Sequence, residues 1–243
     1  MPGYIWTLVL IGVIGFPLVT AAMFYRAAPR VAVVAAIVAE AWVAVTVWLS
    51  AAGVYEQDPV AVQPWIALAI LGVGAAVVAS TRIPAVARAL AAPDTPARLT
   101  VPHTLRVVGV FFLLAMVLGK LPAVFALPAG LGDMAVGFAA PFVVRRLRAG
   151  STRGAVWFNV LGIADMALAV AIGFLAGSGP TRLIDVMPAT DPIGQLPLSL
   201  IATVVVPVGV ALHVICLVRL RGTRRSHVAQ GRQTGPMPAP VTR

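Results

Sequence analysis

Charged residues are scarce in this chain, and their scarcity excludes a soluble protein. Only 11% of the 243 residues are charged, whereas 60% are hydrophobic. Soluble globular domains of this length do not have such a balance. Because a spanning helix needs about 20 apolar residues, the chain is predicted to be an all-α, polytopic membrane helix bundle without a separate extramembrane domain.

Cysteine is almost absent, and the motifs of soluble enzymes are missing. Cys216 is the one cysteine, which excludes an internal disulfide and a cysteine-based metal knuckle. The sequence has no P-loop, zinc-protease or serine-hydrolase signature. It names no cofactor, and a bis-histidine haem would depend on His103 and His213 alone.

Apolar runs interrupted by proline, glycine and arginine predict seven transmembrane helices within residues 1–221. No basic region precedes the first run and no small-residue cleavage site follows it, so the first helix is expected to be retained. The arginine-, glycine- and proline-rich residues 222–243 are expected to form a disordered basic cytoplasmic tail. The predicted spans are 4–24, 31–53, 64–81, 104–120, 130–145, 155–177 and 196–219.

The basic residues alternate between the two sides of this predicted bundle. Sixteen of the 18 lie in the first and fifth loops, in the third loop with the foot of the fourth helix, and from Arg219 onward, and the other two are Lys120 and Arg182. Because basic residues are retained in the cytoplasm, the N-terminus is expected outside and the C-terminus inside. The composition is typical of a bacterium, so we expect the plasma membrane of a bacterium. We expect the positive charge to meet membrane lipids and not nucleic acid.

Ionisable residues within the spans are the first candidates for a functional site, because a charge at the bilayer centre costs at least about 2.5 kcal/mol. Glu40 and Asp165 lie midway along the second and sixth predicted spans, each on a stripe of small residues. They are expected at similar depth, where they could face each other. His213 in the seventh span is expected within reach of Asp165. The alternative, that each group only specifies helix packing, stays open.

The remaining polar groups are expected near the ends of their helices. Asp133 lies in the first turn of the fifth predicted span, where an acid complements the helix dipole, with Lys120 as its expected partner. Arg106 and His103 are expected to extend to the headgroups. The pattern G-x-x-D-M-A around Asp133 recurs around Asp165 at an offset of 32, and the two acids are expected at different depths.

The run KLPAVFALPAGLGDMAVGFAAP, with WFNVLGIADMALAV and LPLSLIATVVVPVGVALHVICL after it, resembles a family of small bacterial integral membrane proteins with no assigned activity. The resemblance covers the last four helices, about half the chain, and implies no particular function. It favours Asp133, Asn159, Asp165 and His213 as site residues. The residues that carry it are Pro128, Gly130, Gly132, Asp133, Trp157, Asn159, Gly162, Asp165, Pro197, Pro207 and His213.

Three functions stay open at this point. The first is proton- or cation-linked transport of a small solute through an intramembrane polar site, with the candidate residues Asp165, Glu40, His213, Asp133 and Asn159. The second is a non-catalytic membrane assembly subunit. The third is an intramembrane enzyme in which Asp165, Asp133 and His213 hold a divalent metal ion or act as acid and base in a lipid-facing cavity. A homo-oligomer is compatible with each of them.

Overall fold

The computed structural model describes residues 1–222 in full and the backbone of the last helix as far as Gln233. The expected disordered tail, 222–243, falls almost wholly outside the fully described residues and stays a prediction. Within the described part the secondary structure is helical, with connecting loops and no strand, which confirms the all-α class. The helices are α1 (Gly3–Tyr25), α2 (Pro29–Ala51), α3 (Trp65–Ser80), α4 (Pro84–Ala89), α5 (Thr95–Thr100), α6 (Val110–Val117), α7 (Ala123–Arg148), α8 (Ala155–Leu175) and α9 (Val206–Gln233).

Six helical segments of the described chain are long and apolar enough to cross a membrane. They are α1, α2, the composite span Thr95–Val117, α7, α8 and the segment Ile201–Gly222. The third predicted span is the shorter helix α3, which has 16 residues. Trp48, Leu71 and Trp157 point outward with 69% of their surface exposed. Because these large side chains suit lipid and not water, the protein is a membrane helix bundle.

Two predicted boundaries were wrong, because prolines interpreted as helix breakers start helices or lie within them. The fourth span begins at Thr95 and not at 104, and Pro96 occupies its first turn, where the missing N–H costs nothing. The fifth span begins at Ala123 and not at 130, with Pro128 inside the helix. The stretch 84–102, expected to be a loop, therefore contains α4, α5 and the start of a 3-10 segment.

The last span forms the centre of the bundle. About two-thirds of Ile201–Gly222 is buried inside the protein, against 17% for α2 at the periphery. Its core side chains include Leu212, Cys216 and Leu220. A π-helical turn, Ile201–Val205, precedes α9.

Two loops meet at one end of the bundle. The backbone N–H of Gly179, after α8, donates to Oε1 of Gln57, after α2, at 3.2 Å. Next to Gln57, the N–H groups of Ala61 and Val60 donate to the Asp58 carboxylate at 2.9 and 2.7 Å. These hydrogen bonds hold the pKa of Asp58 below its usual value. The ends of α2 and α8 therefore lie on the same side of the bundle.

Pro207 lacks the N–H that an α-helix would direct to the carbonyl of Thr203. The indole Nε1 of Trp42, on α2, donates to that carbonyl at 2.9 Å. The hydroxyl of Thr46 donates to that of Thr203 at 2.8 Å, because Thr203 donates its own proton to the carbonyl of Ser199. The Tyr55 hydroxyl lies 3.0 Å from that of Thr46. Side chains outside the last span thus satisfy polar groups that the proline and π-turn leave inside the membrane.

We predict that Trp42→Phe destabilises the protein by about 1–3 kcal/mol, because it leaves the buried Thr203 carbonyl without this donor. The measurement is the unfolding midpoint in detergent. Trp48→Phe is the matched control, since Trp48 is on the same helix with 69% of its surface exposed. Equal midpoints for the two variants would contradict the proposed role of the indole.

Candidate functional site

The site is built on an unusual segment in the middle of the composite span. Residues Val101–Gly109 form a 3-10 helix between α5 and α6. A 3-10 helix has three residues per turn, so residues three apart are aligned on one face, and runs of this length are uncommon. His103, Arg106 and Gly109 therefore lie in one line, and all three are buried.

Arg106 binds two carboxylates from two other helices. Its Nε and Nη2 lie 2.7 and 2.6 Å from Oδ1 of Asp133 on α7. Nη2 also binds Oδ2 of Asp165 on α8. The Arg106 side chain is 1% exposed, whereas those of Asp133 and Asp165 are 19% and 15% exposed. The guanidinium is therefore fully buried, whereas each carboxylate side chain keeps part of its surface exposed.

The cluster lies at mid-span. Arg106 is the twelfth of the 23 residues of its span, and Asp165 is the eleventh of the 21 residues of α8. Asp133 is the eleventh residue of α7 because that helix begins early. The expectations that Asp133 occupies a first turn and lies at a different depth from Asp165 were therefore wrong. So were the expected pairing of Asp133 with Lys120 and the extension of Arg106 and His103 to the headgroups.

Glycines allow the three helices to approach closely enough for these contacts. A Cβ on Gly109 would overlap with the side chain of Asp133, and one on Gly132 would overlap with the carboxylate of Asp165. A Cβ on Gly137 would lie 2.6 Å from the backbone nitrogen of Val107. Gly109 and Gly132 thus leave the space that the carboxylates of Asp133 and Asp165 occupy.

A second polar group lies one 3-10 turn before Arg106. The ring of His103 stacks on that of His213 with 3.8 Å between the centroids and 17° between the planes. Phe16 and Phe158 pack edge-on around the pair. The stack links the 3-10 segment to α9 inside an apolar shell.

Asn159 fixes which ring nitrogen of His213 has a proton. Its Nδ2 donates to the carbonyl of Ala155 at 2.7 Å, so its Oδ1 faces Nδ1 of His213, 2.9 Å away. Nδ1 must then donate, since an amide oxygen only accepts. Nε2 of His213 and both ring nitrogens of His103 are buried without a hydrogen-bond partner. His213 therefore contacts Asn159 and not Asp165, contrary to the expected contact.

Glu40 stands apart from the other candidates. It is the twelfth of the 23 residues of α2 and is partly buried, but its buried Oε1 has no hydrogen-bond partner. The described residues form no ion pair between Glu40 and any base, and the partner of Asp165 is Arg106. In the same part of the chain no group of three or more His, Cys, Asp or Glu side chains could hold a metal ion. The structure thus brings Asp133 and Asp165 together, joins Asn159 to His213, and leaves Glu40 out.

Sequence reasoning missed Arg106 and His103 as members of the site. One signal was available: His103, Arg106 and Gly109 recur every third residue just after Pro102, which fits the 3-10 period. A second signal was the cost of two aspartates inside a membrane, which a positively charged partner would lower.

We predict that Gly132→Ala destabilises the protein by about 1–3 kcal/mol, because the added methyl group would displace the Asp165 carboxylate. Gly72→Ala is the control: Gly72 lies inside α3, and a Cβ there has no atom within 4 Å. Since alanine has a higher helix propensity than glycine, the control substitution is expected to leave the stability unchanged or to raise it. The measurement is the unfolding midpoint, and the prediction is wrong if Gly132→Ala unfolds no earlier than wild type.

Of the comparisons with known proteins, the one with a family model finds a match, and this match covers the whole site apart from Glu40. No curated protein matches the chain, and no solved structure matches it. A family model described as "Domain of unknown function (DUF8737)" matches residues 63–221, which include Arg106, Asp133 and Asp165. This agrees with the uncharacterised family expected from the sequence, and the chain belongs to the DUF8737 family.

Proposed function

We propose that the protein is a small proton-linked membrane transporter whose proton-binding site is the cluster of Arg106, Asp133 and Asp165. The observation that carries this proposal is the charge count at mid-span, where one guanidinium binds two carboxylates. With both acids ionised the cluster has one negative charge in excess. A bound proton removes this excess.

An uncompensated charge inside a membrane is costly, and residues that carry one are typically parts of ion or proton pathways. Loss of the proton from one carboxylate would strengthen its attraction to Arg106, and its return would weaken that attraction. Because Asp133 and Asp165 belong to different helices, such a change alters how α7 and α8 are held against the composite span. This is the coupling between proton binding and helix packing that proton-linked transport of a small solute requires.

The exposure of the acids supports access for the proton. The side chains of Asp133 and Asp165 keep 19% and 15% of their surface, while that of Arg106 keeps 1%. Part of each carboxylate side chain can therefore be reached from outside the cluster without displacing the guanidinium.

The infrared spectrum of the detergent-purified protein tests proton binding directly. We expect a carboxylic acid C=O band that disappears as the pH rises, and we expect Asp165→Asn to remove or shift this band. Asp185→Asn is the matched control, because the Asp185 side chain is 94% exposed. If the spectra of wild type and Asp165→Asn titrate alike, Asp165 does not belong to a proton-binding site.

Transport is tested in proteoliposomes that enclose a pH-sensitive dye, with a panel of small solutes added outside. Wild type and Asp185→Asn are expected to change the internal pH when a transported solute is present. Asp165→Asn is expected to abolish this response. An Asp165→Asn variant that keeps the full response would contradict coupling through the cluster.

We propose further that α3 is a seventh span, with the N-terminus outside and the C-terminus in the cytoplasm of a bacterium. Arg26 and Asp94 line one groove at one end of the bundle, whereas Gln57 binds the loop after α8 at the other end. These positions support a passage of the chain from end to end between Gln57 and Asp94, with α3 as its main helix. The 16 residues of α3 give it a length of about 24 Å. This is slightly less than the thickness of a hydrocarbon core, about 30 Å.

The basic residues support the orientation. Because Arg106 belongs to the intramembrane cluster, 15 of the remaining 17 lie in the segments assigned to the cytoplasm and two in those assigned to the outside. The split of the loops between the two sides thus does not depend on Arg106.

Cysteine labelling distinguishes seven spans from six. We expect Ala27→Cys and Ser151→Cys, in a Cys216→Ala background, to react with an impermeant maleimide only after the cells are permeabilised. Asp185→Cys is expected to react in intact cells. If α3 does not cross, residues 27 and 151 lie on opposite sides, and one of them reacts in intact cells.

A further inference from the structure

A groove that none of the residues of the acidic cluster lines opens between α1, α2, α5 and the end of α7. Its volume is about 640 Å³, within the range of roughly 300–1,000 Å³ that is usual for ligand sites. We call it the arginine groove, after the three arginines that line it together with an apolar wall. The arginines are Arg26, Arg98 and Arg148, and the apolar wall includes Leu18, Ala22, Val33 and Ala36.

The arginine groove has a net positive charge. Asp94 is the acid that lines it, and its Oδ2 accepts a hydrogen bond from Nε of Arg98 at 2.7 Å. The described residues provide no ion pair for Arg26 or Arg148. Nη1 of Arg98 is buried without a hydrogen-bond partner. Three guanidinium groups with one carboxylate are complementary to an anion, and Nη1 needs an acceptor.

The arginines come from three different helix ends. Arg26 directly follows α1, Arg148 is the last residue of α7, and Arg98 is the fourth residue of the composite span. Because three membrane helices end at this level, the arginines lie where the apolar bundle meets the lipid headgroups. The apolar wall continues along α1 and α2 into the membrane. The groove is therefore charged at the headgroup level and apolar below it.

We propose that the arginine groove binds one acidic glycerophospholipid. Its phosphate accepts hydrogen bonds from the three arginines, including Nη1 of Arg98, and an acyl chain lies against the apolar wall. An amphiphile uses both halves of the groove, whereas a free phosphate leaves the apolar half empty. This site is separate from the acidic cluster and does not depend on transport.

Native mass spectrometry of the full chain in detergent tests the proposal, with phosphatidylglycerol and phosphatidylcholine as probes. We expect one phosphatidylglycerol to be retained in preference to phosphatidylcholine. The double variant Arg26→Gln/Arg148→Gln should weaken its binding about tenfold or more, since it removes charge-assisted hydrogen bonds. Arg26 and Arg148 are exposed, so the variant is expected to fold.

The matched control is Arg145→Gln/Arg153→Gln, which removes the same charge from exposed residues outside the groove and should keep the preference. Ala36→Trp fills the apolar wall and should reduce lipid binding with all three arginines in place. Equal binding of the two lipids, or equal loss in both double variants, would overturn the proposal. It would also be overturned if inorganic phosphate alone displaced the lipid, or if a second copy of the chain occupied the groove in place of lipid.

Discussion

The buried guanidinium of Arg106 is the group on which the interior of this bundle depends. A lone positive charge at mid-membrane is costly, and here it is balanced by carboxylates from α7 and α8. That requirement fixes three helices at one depth. It also explains the glycines at 109 and 132, since a Cβ at either position would occupy the space of an aspartate.

The polar interior has two further parts, which meet the last span from different sides. Near the acidic cluster, His103 stacks on His213, and Asn159 holds the second ring by its Nδ1. Toward the start of the span, the indole of Trp42 compensates for the donor that Pro207 lacks. Because lipid offers no hydrogen bonds, each irregularity of the central helix needs a side chain from a neighbour. The most buried span is therefore also the one whose polar groups are hydrogen-bonded by side chains of other helices.

Particular residues show where interpretation of the sequence stops. Asp165 could be selected because acids are rare in membrane spans, and Asp133 because of the family resemblance; both bind one arginine. Arg106 was assigned to the headgroups, because a base near a predicted helix end usually extends to them. The error came from the helix boundary: with the span starting at Thr95, the same residue is at its centre. Glu40 is also an acid at the middle of a membrane span, yet no basic residue of the described chain forms an ion pair with it.

The sequence by itself determined the class of this protein, because composition and the length of apolar runs state directly that a chain belongs in a bilayer. It also determined which residue types are unusual inside that bilayer. Only the tertiary structure decided which of them meet, since the partners of Arg106 are 27 and 59 positions away along the chain. The phase of a helix depends on where it begins and whether it is α or 3-10, and a shift of a few residues rotates a side chain to another neighbour. Such shifts are set by packing against the other helices, which the sequence of one helix does not contain.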